Sequence, residues 1–245
     1  MSVLRMRSSR PDAQAHRTAT GRRNDAVPPG QLAAAADAAV RSLVNRYELA
    51  SGHRVPSSIA VVGSLVGDGV TSTAQALARV LATDFGAEVC LVDVSAGTPP
   101  GVRDASAAAA RRDNGIYEVL TGVLPIEAVL QPTDHPTVRY LSVGNATPDQ
   151  VHAMARWSEL ELLVKRLGDD FDFLVWDTPS VHANSGALAP LRHAEAYLLV
   201  ARWGRTTASQ LRETTEELAS LPAIGAVLNG YRSRTPRIVR RLLDG

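Results

Sequence analysis

The segment Ser58-Ile-Ala-Val-Val-Gly63-Ser-Leu-Val-Gly67-Asp68-Gly69-Val70-Thr71-Ser72-Thr73 constrains this chain more than any other. Ile59–Gly63 is a short, wholly apolar run, the pattern of a strand buried on both faces. Thr71–Phe85 carries Ala74, Leu77, Ala78 and Leu81 on one helical face. A strand therefore runs through a glycine loop straight into a helix. Gly67 and Gly69 let backbone amides close on an anion, and the helix N-terminus adds its dipole. Loops of this kind that hold nucleotide phosphates place a lysine between the last glycine and the Ser/Thr. Here that position is Val70, and the only lysine in the chain is Lys165. Gly67, Asp68, Gly69, Val70, Thr71 and Ser72 are the candidate cofactor-binding residues.

The rest of the chain alternates in the same manner. Residues 31–50 are Ala-rich with Leu32, Val40, Leu43, Val44 and Tyr47 at helical spacing. Val89–Val92, Val138–Val143, Phe171–Trp176, Ala194–Ala201 and Ile224–Leu228 read as strands. Helices are expected over Gly115–Leu120, Ile126–Leu130, Asp149–Leu167, Thr206–Leu221 and Arg237–Leu243, and 95–114 as a loop with an irregular helix. Apolar strands alternating with helices predict a doubly wound, mostly parallel α/β sheet covered on both faces, in one domain. Ligands in such folds sit beyond the carboxyl ends of the strands. The glycine loop, Asp93 and Asp177 all fall at such ends.

Composition narrows the class. At 245 residues and 45% hydrophobic, the chain suits one large-cored domain over residues 31–245. A net charge of +1 gives no global field toward nucleic acid, and no nucleic-acid partner is expected. Residues 1–30, with six arginines and a Pro-Pro-Gly end, read as a disordered basic arm. The single cysteine, Cys90, lies in an apolar run and reads as a buried core residue. With neither a signal peptide nor a run of about 18 apolar residues, a cytoplasmic location is expected. Trp157, Trp176 and Trp203 read as packing residues. The histidines show no metal-ligand spacing, and His182 reads as a solvated loop residue.

Two strand-end carboxylates beside a Ser/Thr at a helix start are what a Mg²⁺-nucleotide site needs. This gives Thr71, Asp93 and Asp177 as candidate metal ligands, with Asp93 and Asp177 as the candidate catalytic pair. At this point the chain resembles the P-loop domain of bacterial tyrosine kinases (BY-kinases, the CpsD/CapB/Wzc type), within the MinD/ParA-like ATPases. Six ordered pieces over about residues 38–230 carry the resemblance. They are the loop at Val66–Thr73, Leu91-Val-Asp93 (Walker A′), Gly115–Gly122 with Ile126–Thr133, Asp177-Thr-Pro179 (Walker B), Gly204-Arg-Thr-Thr207 and Gly225–Gly230. The resemblance implies an ATP-dependent protein-tyrosine kinase of capsule or exopolysaccharide assembly, working with a membrane-anchored chain-length or co-polymerase protein. By analogy with related ATPases it makes Asn229 a candidate purine contact.

The departures from the family are as informative. Val70 replaces the lysine, Val66 the loop proline and Ser64 an initial glycine. Ser95 replaces the second Walker A′ aspartate, and Gly97-Thr-Pro-Pro100 replaces Arg-Arg-Pro. Of the self-association motif upstream only Arg41 remains, which leaves homo-oligomerisation open. Tyr231 stands alone where the family carries a tyrosine cluster. The expectation is an impaired, pseudokinase-like protein with ATP or ADP and Mg²⁺ bound weakly or not at all, acting at the inner membrane through its partner. An active kinase or ATPase is the second reading. A MinD/ParA-like positioning ATPase is the third, which Gly115–Thr133 disfavours.

Overall fold

The structure, a computed structural model, describes residues 29–95, 114–183 and 191–230. The expectations for the arm at 1–28, for 96–113, for Tyr231 and for the helix at 237–243 lie outside these residues. Helix α1 (Pro29–Ser51) leads to strand β1 (Ser58–Gly63), the glycine loop and helix α2 (Val70–Phe85). Strand β2 (Val89–Asp93), helix α3 (Ile116–Leu120) and strands β3 (Gln131–Pro132) and β4 (Val138–Ser142) follow. Helices α4 (Pro148–Met154) and α5 (Ser158–Asp170) precede strand β5 (Phe173–Asp177). Strand β6 (Ala196–Arg202), helix α6 (Ala208–Glu217) and strand β7 (Ala223–Asn229) complete the described chain.

The strands form one sheet in the order β3-β4-β2-β5-β1-β6-β7, parallel throughout except for the β3–β4 pair. Every residue of β1 and β2 is buried, as continuous apolar strands require. Side chains alternate between two cores. Ile59 and Val61 join Leu77 and Leu81 of α2 on one face, while Ala60 and Val62 join Leu160, Leu163 and Leu167 of α5 on the other. Trp176 is buried, and its indole N–H donates to Ser58 Oγ at 2.9 Å, which satisfies the one polar atom it brings into the core.

β1 lies between β5 and β6, so later strands are added on both sides of it. The crevice at its carboxyl end is therefore the topological switch point, and the glycine loop opens into it. Gly69 holds φ of 104° where the loop turns into α2, and Gly86 ends α2 in the left-handed region. Among the described residues no helix is long and apolar enough to cross a membrane.

Several expectations are corrected. The helix expected over 149–167 is two, because Arg156 N and Trp157 N turn back to the carbonyls of Ala153 and Met154 and end α4. Thr147 then caps α4 in a reciprocal pair with Gln150. Residues 126–130 form one 3₁₀ turn (Ile126–Ala128), followed by the edge strand β3. α6 starts two residues later than expected and ends at Glu217, with Thr207 as its cap. Trp203 is 54% exposed, so it is not a core residue. Arg41 bonds both oxygens of Asp84 at 2.5 and 2.9 Å, which ties α1 to α2 within the chain. Arg79 and Asp37 make a second tie at 2.7 Å.

Candidate functional site

The loop between β1 and α2 is fastened by side chains from distant elements. Asp68 is fully buried, and its carboxylate accepts from Leu65 N at 2.9 Å and from the Thr206 hydroxyl at 2.8 Å. The loop carbonyls are also taken. Gly67 O accepts from Arg202 Nη1 at 2.8 Å, Asp68 O from Asn229 Nδ2 at 2.9 Å, and Gly69 O from Thr73 N and Oγ1 at 3.0 and 2.9 Å. Helix geometry leaves the first N–H groups of α2 without intrahelical acceptors. Gly69, Val70, Thr71 and Ser72 border a cleft of about 520 Å³, together with Ser95, Ser180 and Arg202. A loop with its carbonyls tied back and its amides beside a cleft binds anions.

The sequence-predicted residues divide by role. Gly67, Gly69, Thr71 and Ser72 line the cleft. A Cβ on Gly69 would collide with the Asn229 amide, so that position requires glycine. The Asp68 side chain turns into the protein and contributes a fastening rather than a ligand contact. Asn229 spends its amide on the loop, so its first duty is to support Gly69. Val70 is 8% exposed and packs against Gly63, where a lysine stem would otherwise start. Lys165 is exposed on α5, across the sheet from α2.

Asp93 and Asp177 are neighbours in register on β2 and β5. Asp93 is held by three donors: Ser95 N and Oγ donate to one oxygen at 2.8 and 2.7 Å, and the Tyr140 hydroxyl donates to the other at 2.7 Å. It enters the site as a neighbouring charge more than as an open ligand. Asp177 differs. It is 2% exposed and Oδ1 has no partner. Burial, then the charge of Asp93, push its carboxyl up to about 8, opposed by a hydrogen bond from the Thr71 hydroxyl. Ser180, 6% exposed on the loop after β5, also keeps an unpartnered hydroxyl. An orphaned carboxylate oxygen on a group that takes a hydrogen bond from Thr71 fits a hard divalent cation of the Mg²⁺ type.

Sequence reasoning missed four residues at this site. Thr206 and Arg202 fasten the loop from the end of β6, and Arg205 stands beside Gly67. Ser180 supplies an unsatisfied oxygen. Only the Gly204–Thr207 resemblance pointed toward the first group, and it named no role. His182 contacts Thr214, Gln210 and Glu213 at 3.4–3.9 Å and stands apart from any ligand cluster. A larger groove of about 640 Å³ between α1 and β7 carries none of these groups.

Loop, strand-end carboxylates and sheet order together give the P-loop NTPase-like fold. No family model matches the chain. In sequence it is 25% identical over 195 residues to the tyrosine-protein kinase YwqD of Bacillus subtilis, covering 78% of this chain and 80% of that protein. It is 26% identical over 199 residues to the tyrosine-protein kinase Etk of Escherichia coli, covering 80% of this chain. It spans only 27% of that longer relative. The solved kinase domain of Escherichia coli Etk superposes with a TM-score of 0.68 at 25% identity, covering 82% of this chain and 77% of that one. The VpsO kinase domain gives 0.70 at 20% identity, covering 83% and 98%. The septum site-determining protein MinD of Pyrococcus horikoshii, complexed with Mg-ADP, gives 0.55 at 22% identity and 77% of each chain. In sequence and fold the chain is thus similar to bacterial tyrosine kinases, with valine at the lysine position of the loop.

Proposed function

We propose that this chain is a catalytically impaired relative of the bacterial tyrosine kinases that binds Mg²⁺ and an adenine nucleotide weakly. It serves capsule or exopolysaccharide assembly by docking on a membrane-anchored chain-length or co-polymerase protein. The observation that carries this reading is a glycine loop with its amides at a cleft and Val70 in place of lysine, and the unpartnered Oδ1 of Asp177 supports the Mg²⁺ part of it. Asp177, Thr71 and Ser180 would hold the Mg²⁺, which when bound neutralises charge on the phosphate oxygens. The amides at the start of α2 would cradle the phosphates.

Magnitudes separate binding from turnover. A lysine on phosphate contributes about 1.5–3 kcal/mol, so its loss weakens binding roughly tenfold to a hundredfold. Losing a preorganised stabiliser of transition-state charge costs around 10²–10³ in rate. The similarity to YwqD and Etk supports the polysaccharide setting by family analogy.

The test is purified full-length chain with Mg²⁺ and ATP. Calorimetry is expected to detect micromolar-to-millimolar binding, while phosphotyrosine blotting and phosphate release stay at background. Robust phosphotyrosine formation would favour the active-kinase reading instead. Co-purification with a co-expressed membrane-anchored chain-length protein tests the partner.

A further inference from the structure

We propose that Arg202 and Arg205, from the turn after β6 of the same chain, supply the positive charge at the phosphate loop that Val70 does not. The ligand they serve is the polyphosphate of the nucleotide, so the inference rests on the nucleotide-binding reading above.

Arg202 ends β6 at the carboxyl edge of the sheet, and its Nη1 donates to the Gly67 carbonyl at 2.8 Å. It lines the cleft with Gly69, Thr71 and Ser180. That bond uses one of five guanidinium donors, leaving four for phosphate oxygens in the planar fork that suits them. Arg205 stands against Gly67, its Nη1 2.8 Å from where a Cβ there would lie, just outside the residues that line the cleft. Among the described residues no carboxylate forms an ion pair with either arginine. The nearest loop carboxylate, Asp68, is already taken by Leu65 N and the Thr206 hydroxyl.

The turn is also held in place. Thr206 Oγ1 accepts from Arg202 N at 2.9 Å while its proton goes to Asp68. Arg205 N and Thr206 N return to the Arg202 carbonyl at 3.1 and 3.0 Å. The two cations are thus anchored to the loop they serve. An independent sign that a ligand belongs beside them is the buried, unpartnered hydroxyl of Ser180, with Asp177 Oδ1 likewise unpartnered. Charge has moved from the first turn of α2 to the far lip of the same loop.

The test is calorimetry of the full chain with Mg-ATP, for wild type, Arg202→Gln, Arg202→Ala, Arg205→Ala and the pair Arg202→Gln/Arg205→Ala. Thermal melts accompany each protein. Arg202→Gln removes the charge and, being two atoms shorter, gives up the Gly67 tie as well, so the melts report the cost of the lost tie separately from the lost charge. The single charge removals are expected to weaken binding about tenfold each, and the pair by about a hundredfold. Repeating the pair on Val70→Lys is expected to shrink its effect, because one cation then replaces another. Weakening by the Arg202 variants only in step with a lowered melting temperature, with none from Arg205→Ala, would make Arg202 a loop fastening and overturn the proposal. So would wild-type affinity in the folded pair. If Arg205→Ala weakens binding and Arg202→Gln does not, the proposal falls for Arg202 and holds for Arg205. Absence of Mg-ATP binding by wild type removes the nucleotide reading, and this inference with it.

Discussion

Asp93 and Asp177 stand in register on adjacent parallel strands, yet only one of them is finished. Ser95 and Tyr140 occupy both oxygens of Asp93, while Asp177 Oδ1 is buried with nothing to accept from. The asymmetry separates a carboxylate absorbed into the scaffold from one that awaits a cation.

That difference has a pH signature. Folding raises the Asp177 carboxyl from 3.8 to about 8, so the folded chain holds this proton more tightly than the unfolded chain. Its contribution to stability is therefore present below about pH 4 and declines as pH rises to about 8. In EDTA, the melting temperature is expected to drop between pH 5 and pH 8.5. Mg²⁺ is expected to restore it at the higher pH, and Asp177→Asn to flatten both effects. A wild-type profile without that drop would contradict the assignment.

Val70→Lys is expected to fold, because a lysine stem can cover the apolar surface that valine covers against Gly63. Calorimetry should show Mg-ATP binding tightened about tenfold. Phosphotyrosine should stay absent, since Ser95 still stands where the family resemblance places the second Walker A′ aspartate. Appearance of autophosphorylation would locate the defect in the loop alone.

Thr206→Val removes the hydroxyl that satisfies Asp68 Oδ1 and leaves a fully buried carboxylate with one donor fewer. A loss of about 2 kcal/mol is expected in chemical denaturation, with weaker nucleotide binding as the loop loosens. Thr206→Ser, which keeps the hydroxyl, should recover most of both.

Glu118 accepts from Gly115 N at 2.7 Å and from Asn145 N and Nδ2 at 3.2 and 3.0 Å, so it joins the start of α3 to the turn after β4. Glu118→Ala is expected to cost about 2–3 kcal/mol in a denaturant titration, because buried N–H groups lose their acceptor. Nucleotide affinity should be unchanged, which distinguishes this segment from the cleft.

The sheet was legible because β1, β2, β5 and β6 are continuous apolar runs, and the loop because its glycines sit between such a run and a helical face. The break after α4 was not, since Ala155-Arg156-Trp157 contains neither glycine nor proline and the turn is made by backbone bonds alone. β3 escaped notice because two residues carry no period. Thr71 and Asp177 could be paired in advance, both being strand-end or helix-start residues of a known pattern. Arg202, Thr206 and Ser180 could not, because Arg202 reaches Gly67 only when β6 is laid beside β1. The Arg41–Asp84 pair was likewise not legible, because only the docking of α1 on α2 brings the two together.

Three ties hold the carbonyls of Gly67, Asp68 and Gly69, from β6, β7 and the first turn of α2. A cradle braced in this way is already in its receiving shape, so an arriving anion has little chain entropy to remove and little backbone to displace. It can therefore welcome a ligand without announcing it. Any message that the cleft is full must travel through a part still free to change, and at this site that part is the unpaired oxygen of Asp177 and the cation that would settle on it.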